Sequence, residues 1–125
     1  VEWFLSNRGG SVRGYSRAIY SGFTTAALAR ITGEVIERHP KLSGVYQVSS
    51  EPINKYDLLC LLRDRFGVSV KVESSADVQI DRSLNGDRFR TTTGFAPPTW
   101  PAMIQELAND PTPYEQWRND RGSRR

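Results

Sequence analysis

"GVYQVSSEPINKYDLL", residues 44–59, is the stretch on which the reading of this chain turns. Its first half, within "SGVYQVSS" at 43–50, is rich in valine and tyrosine and carries no charge. That is the pattern of a strand covered on both faces in a parallel sheet. A short polar loop, "SEP", follows, and Asn54 stands where a helix N-cap belongs, ahead of a stripe made by Leu58, Leu59, Leu62 and Phe66. Gly67 closes that helix in the manner of a left-handed cap. A buried strand running through a polar loop into a capped helix is how ligand crevices of open α/β sheets begin.

Working outward, "SVRGY" at 11–15 is a short strand, and "SGFTTAALARITGEVIERHP" at 21–40 is a turn and a helix. Thr24 is its N-cap, Leu28, Ile31 and Val35 share one face, and Pro40 stops it. A strand, a crossover helix and a second strand predict a βαβ-type layer. At residues 1–8 Val1, Phe4 and Leu5 recur at helical spacing with no capping residue ahead of them, so the chain is expected to open on a helix cut short. Downstream, "VSVKVE" at 68–73 alternates Val68, Val70 and Val72 inward with polar residues outward, as a half-exposed strand does. A short helix is expected to end at Gly94, and Thr99 opens a last helix bearing Met103, Ile104 and Leu107. Residues 1–109 read as one folded portion and 110–125 as a flexible basic tail. There are no internal repeats.

With 125 residues, 38% of them hydrophobic, the chain is the size of one ordinary domain. No apolar run reaches the roughly 18 residues of a membrane span, and "VEWFLSNRGG" lacks the features of a signal peptide, so no membrane partner and a cytoplasmic location are expected. Cys60 is the sole cysteine, which excludes an internal disulfide and any cysteine-rich metal site. The formal charge is +3, but four arginines against one aspartate in "WRNDRGSRR", 117–125, account for all of it. The body is neutral, whereas nucleic-acid binders concentrate basic residues on a folded face, so no nucleic acid is expected as a partner.

The motifs of cofactor chemistry are missing. No G-x-G-x-x-G follows a strand, no phosphate-binding G-x-x-x-x-G-K-[ST] occurs, and none of the tyrosines is followed four places on by lysine. His39, in "ERHP", is explained by the helix dipole, Cys60 reads as a small buried hydrophobe, and Trp3 and Trp100 read as packing residues at helix starts or faces. More informative are "SVRGYSRAIYSGFTT" and "IDRSL", which set arginine beside small hydroxyl residues in loops or at element ends. The guanidinium fork matches paired phosphate oxygens, making Arg13, Arg17 and Arg82 candidate ligands for an anionic substrate. The competing reading is a set of surface arginines in local ion pairs.

Taken in order, "SGFTTAALARITGEVI", "LSGVYQVSSEPINKYDLLCLLRDRFG" and "IDRSLNGDRFRTTTGFAPPTWPAMIQEL" resemble the C-terminal part of the extended short-chain dehydrogenase/reductase family. The likeness is to the branch of dTDP-4-dehydrorhamnose reductases and related sugar-nucleotide reductases. It spans residues 1–109 and rests on serial order and spacing rather than on one motif. It implies an α/β fold: the C-terminal portion of an NAD(P)-binding, Rossmann-like architecture with few parallel strands, flanking helices and an incomplete sheet.

In that family the N-terminal half holds the cofactor loop and the catalytic tyrosine and lysine, and the C-terminal half grips the sugar nucleotide. The resemblance therefore implies NAD(P)H for a full-length parent, no cofactor bound and no catalytic residue in this chain alone, and a nucleotide sugar as the substrate. By motif position Arg82 resembles the arginine near the diphosphate, and "RGYSRAIYSG", with Arg13, Arg17 and Ser21, the segment bordering the cleft. Expected partners are the missing N-terminal half or, through a bare sheet edge, a second copy of the chain. Alternatives of the same fold are a non-catalytic regulatory or scaffold subunit and a nucleotide-sugar epimerase or dehydratase.

Overall fold

The computed structural model describes residues 1–112, so the expected basic tail lies outside the described residues from position 113 onward. In chain order the elements are α1 (Glu2–Leu5), β1 (Ser11–Tyr20), α2 (Thr25–Arg38), β2 (Ile53–Asn54), α3 (Lys55–Phe66), β3 (Lys71–Arg82), α4 (Asp87–Thr93) and α5 (Trp100–Ala108). Among the described residues no helix is long and apolar enough to cross a membrane.

Helix boundaries follow local chemistry closely. Thr24 caps α2, its side chain accepting from the Ala27 amide, and Thr99 caps α5 by accepting from Ala102. Asn54 caps α3 reciprocally. Its Oδ1 accepts from the Asp57 amide at 2.8 Å while its Nδ2 donates to Asp57 Oδ2 at 2.7 Å. Each cap satisfies amides that the first turn of a helix leaves without a partner. Gly67 and Gly94 end α3 and α4 at φ +60° and +72°, the left-handed conformation that a Cβ disfavours.

The sheet departs from expectation. Among the described residues it has three strands in the order β2-β1-β3, and it is mixed: β1 pairs antiparallel with β2 and parallel with β3. The expected βαβ layer with "GVYQVS" as its second strand is not formed. Residues 45–52 join no strand ladder, and Val45 is 83% exposed. An apolar β-rich run favours an extended backbone but cannot by itself supply a strand partner, and among the described residues no strand pairs with it. The parallel partner of β1 is instead β3, which runs on through Arg82, well past "VSVKVE". Val70 is buried just before it, and Val68 and Val72 are half-buried. A register shift between Tyr15 and Arg17 marks a bulge in β1.

One core forms where α1, α3 and α5 meet the sheet, built from Phe4, Val12, Leu59, Leu62, Val70, Trp100, Met103 and Ile104, with Ala27 of α2. Leu58, Phe66 and Leu107 pack at its margin, so the predicted stripes of α3 and α5 are the buried ones. On α2 the buried row is Ala27 and Ile31, continued by half-buried Val35, while Leu28 is 48% exposed. Leu28 follows Ala27 by one residue, a turn of about 100°, which carries it off the row. Arg30 and Glu106 tie α2 to α5 across the surface, and Arg65 Nη1 donates to Gln105 Oε1 at 3.0 Å between α3 and α5.

Candidate functional site

The sheet face that meets α1, α3 and α5 does not close completely. It leaves a cavity of about 710 Å³ whose floor includes Ala18, Ile19, Tyr20, Val78 and Ile80, with Ile53 and Leu58 along one side. Trp3, Tyr15, Tyr20, Phe23 and Trp100 make much of the wall aromatic. The size and the largely apolar lining are those of a small-molecule site. The cross-strand row Ile53, Tyr20, Arg82 fixes the order of these groups, since Tyr20 pairs with Ile53 on one side and with Arg82 on the other. Arg82, the last residue of β3, thus stands at the margin of the cavity as one of its lining residues.

The other predicted ligands are placed elsewhere. Arg13 sits seven residues before Tyr20, roughly 20 Å along the strand at ~3.3 Å per residue. There it faces Glu73 in the register and lies 4.0 Å from Asp77 in an exposed ion pair. Arg17, level with Gln79, is exposed and does not line the cavity. Ser21 is buried. Its Oγ accepts from the Leu84 amide at 2.8 Å and its carbonyl accepts from the Ser50 amide at 3.0 Å, so it clasps the end of β1 to two neighbouring segments. Of the four residues, the structure brings only Arg82 to the cavity.

Beside that clasp lies a polar knot. Arg90 pairs with Glu51 at 3.1 Å and donates to the Ser49 carbonyl at 3.3 Å, and Trp100 Nε1 donates to the Glu51 carbonyl at 2.7 Å. Ser49 and Ser50 are buried here, at the carboxyl end of the predicted crevice strand. The segment that sequence marks as the opening of a crevice is therefore anchored at residues 49–51 even though 45–48 joins no ladder.

Three residues of the wall carry little signal in sequence. Trp3, read as a packing residue, is 55% exposed and lines the cavity from α1. Tyr15 and Lys55 join it: Lys55 Nζ lies 5.3 Å from the centroid of each of the two rings. The "I-N-K" helix start could have drawn attention to Lys55, but its aromatic neighbours come from positions 52 and 40 residues earlier. Trp100 is buried as a packing residue, with its ring 5.7 Å from that of Tyr20. His39 caps the end of α2 away from the cavity, and Cys60 is half-buried on α3 rather than fully enclosed. Its neighbour Tyr56 is held above the usual phenol range by its hydrogen bond with the Cys60 side chain, with burial adding to the rise.

No protein-family model matches the chain, and no curated protein does. Among solved structures, it is similar to a dTDP-4-dehydrorhamnose reductase from Clostridium acetobutylicum ATCC 824. The TM-score is 0.64 at 18% sequence identity, over 84% of this chain and 39% of that one. The chain thus spans about two fifths of the length of the reductase it matches. At this identity the likeness establishes a related α/β fold.

Proposed function

We propose that this chain is the substrate-lobe portion of a dTDP-4-dehydrorhamnose-reductase-like protein and that its cavity forms one wall of a sugar-nucleotide cleft. The observation that carries this reading is the apolar, aromatic-walled cavity with Arg82 of "IDRSL" at its margin, on a fold related to that of such a reductase. The parent reaction would be NAD(P)H-dependent reduction of a 4-keto sugar nucleotide. The 125 residues include neither a glycine-rich cofactor loop nor a tyrosine followed four places on by lysine, so hydride and proton would be delivered from another segment. A guanidinium is suited to the paired oxygens of a diphosphate, and the aromatic walls to the faces of the base and sugar. Arg13, Arg17 and Ser21 belong to this proposal only as border residues, since none of them lines the cavity.

Calorimetry with dTDP tests the reading directly. We expect binding by the wild type and affinity about tenfold or more weaker in Arg82→Ala, the scale of a lost charge-assisted contact. Equal heats would remove Arg82 from the site. No binding by either protein would favour a non-catalytic member of the fold over a sugar-nucleotide lobe.

The same reading includes a covering partner. Residues 45–48, with Val45 largely in solvent, join no ladder among the described residues, and a β-prone run left unpaired invites a neighbouring strand. That neighbour would be the N-terminal half of the fold or, for the chain alone, a second copy. Sedimentation of the isolated chain is expected to detect dimers or larger species at high concentration, and a strict monomer would count against the idea.

A further inference from the structure

The cavity contains a second cation that the arginine motif does not account for. Lys55, the first residue of α3, is half-buried with its Nζ 5.3 Å from both the Trp3 and the Tyr15 ring centroids. Elsewhere on this surface some cations find acids, Arg30 with Glu106, Arg63 with Asp64, Lys71 with Glu73 and Arg90 with Glu51, whereas Arg8, Arg17, Arg38 and Lys41 form no ion pair among the described residues, so what sets Lys55 apart is its place in the cavity. Among the described residues neither Lys55 nor Arg82 has such a partner, and the cavity lining includes no aspartate or glutamate. Two uncompensated positive charges thus share one apolar chamber.

Their spacing follows from the sheet. Arg82 lies on β3 and Lys55 directly after β2, with β1 between them, so the outer strands stand about 10 Å apart at ~4.8 Å per strand spacing. Ile19 and Tyr20 form the floor between the two. Lysine at the first position of a helix faces the positive end of the helix dipole, so helix stability does not account for it there. The two rings do account for where its ammonium rests, because a cation is drawn to the electron-rich face of an aromatic ring and the four-carbon stem can lie along apolar surface.

We propose that Lys55 is an anion-recognition residue of this cavity, opposite Arg82, and that the ligand it takes is an anion attached to a flat apolar or aromatic body. The apolar floor favours the body and the ammonium favours the anionic group. A neutral molecule of the same shape gains only the first contribution, so discrimination between the two rests on the cations of the cavity, Lys55 together with Arg82. The proposal rests on reading the cavity as a ligand site and extends it to a residue and a ligand class.

The test uses a matched pair of fluorescent probes on the intact chain: 1-anilinonaphthalene-8-sulfonate and its uncharged analogue N-phenyl-1-naphthylamine. Lys55→Met keeps the stem against Trp3 and Tyr15 while removing the charge. It is expected to weaken sulfonate binding about tenfold and to leave the neutral probe within about twofold, with Lys55→Arg retaining most of the sulfonate affinity. Lys55→Gln, read alongside thermal unfolding, supplies the same comparison if the methionine variant is poorly folded. Unchanged sulfonate affinity, an equal loss for both probes, or a wild type that binds no sulfonate would each overturn the proposal. Sulfonate binding that depends on Lys55 in a chain that does not bind dTDP would leave this inference standing while the sugar-nucleotide reading fails. Arg82-dependent dTDP binding with no Lys55 effect on either probe would do the reverse.

Discussion

Trp100→Ala is expected to destabilise the fold by about 3–5 kcal/mol, the cost of removing a large buried aromatic and leaving a partly collapsed hole. Net stability for the 112 described residues is on the order of 6–17 kcal/mol at typical values per residue, so the loss would be a large share of the whole. The residue joins three parts of the molecule. Its ring lies in the core with Met103 and Ile104 and packs 5.7 Å from Tyr20, and its Nε1 holds the Glu51 carbonyl at 2.7 Å. Trp100→Phe separates packing from the hydrogen bond: it keeps most of the ring but leaves the Glu51 carbonyl without its indole donor, for a loss of about 1–3 kcal/mol. Urea titration followed by circular dichroism measures both. A loss below about 1 kcal/mol for the alanine variant would mean that α5 and the 49–51 segment do not depend on this side chain.

The second large effect is expected at Gly14, in the middle of β1. A Cβ built there would come 2.8 Å from the Tyr56 Cα on α3 and 3.0 Å from Val72 Cγ1 on β3. The first contact is with backbone, so it cannot be relieved by turning a side chain, and α3 must move away from the sheet. Gly14→Val is expected to cost at least the 1–3 kcal/mol typical of overpacking, and Gly14→Ala somewhat less. Both should also weaken probe binding, because α3 carries Lys55 and Leu58 into the cavity wall. If Gly14→Val melted within a degree or two of the wild type, the close approach of α3 to β1 would be wrong. Gly22 illustrates the contrast: the atoms nearest to a Cβ there belong to the far end of the Tyr20 side chain rather than to backbone.

Much of this architecture was legible residue by residue. Thr24, Asn54 and Thr99 each place an acceptor over the amide three residues ahead, so helix starts could be read directly. The stripe Leu58, Leu59, Leu62 and Phe66 packs where its spacing puts it, and Gly67 and Gly94 take the left-handed conformation. Of the candidate anion ligands, Arg82 lines the cavity, while Arg13 and Arg17 do not. Ser21 was placed at the cleft border, but its hydroxyl is engaged by the Leu84 amide, a partner 63 residues away that no local pattern announces. The strand pattern of "GVYQVS" was misleading as evidence of pairing, since it joins no ladder among the described residues.

What the sequence by itself determined is therefore the set of features closed within about one helical turn: caps, stops and apolar stripes. The tertiary structure alone decided that β1 pairs with β3 in parallel, that Val45 remains in solvent, and that Trp3, Tyr15 and Lys55 converge on one chamber with Arg82. The physical reason is the range of the forces involved. Capping bonds and side-chain rows act between residues three or four apart, whereas a strand ladder or a cavity wall joins groups about 30 to 80 positions apart. Such groups can meet in many ways, and burial of the whole chain selects among them.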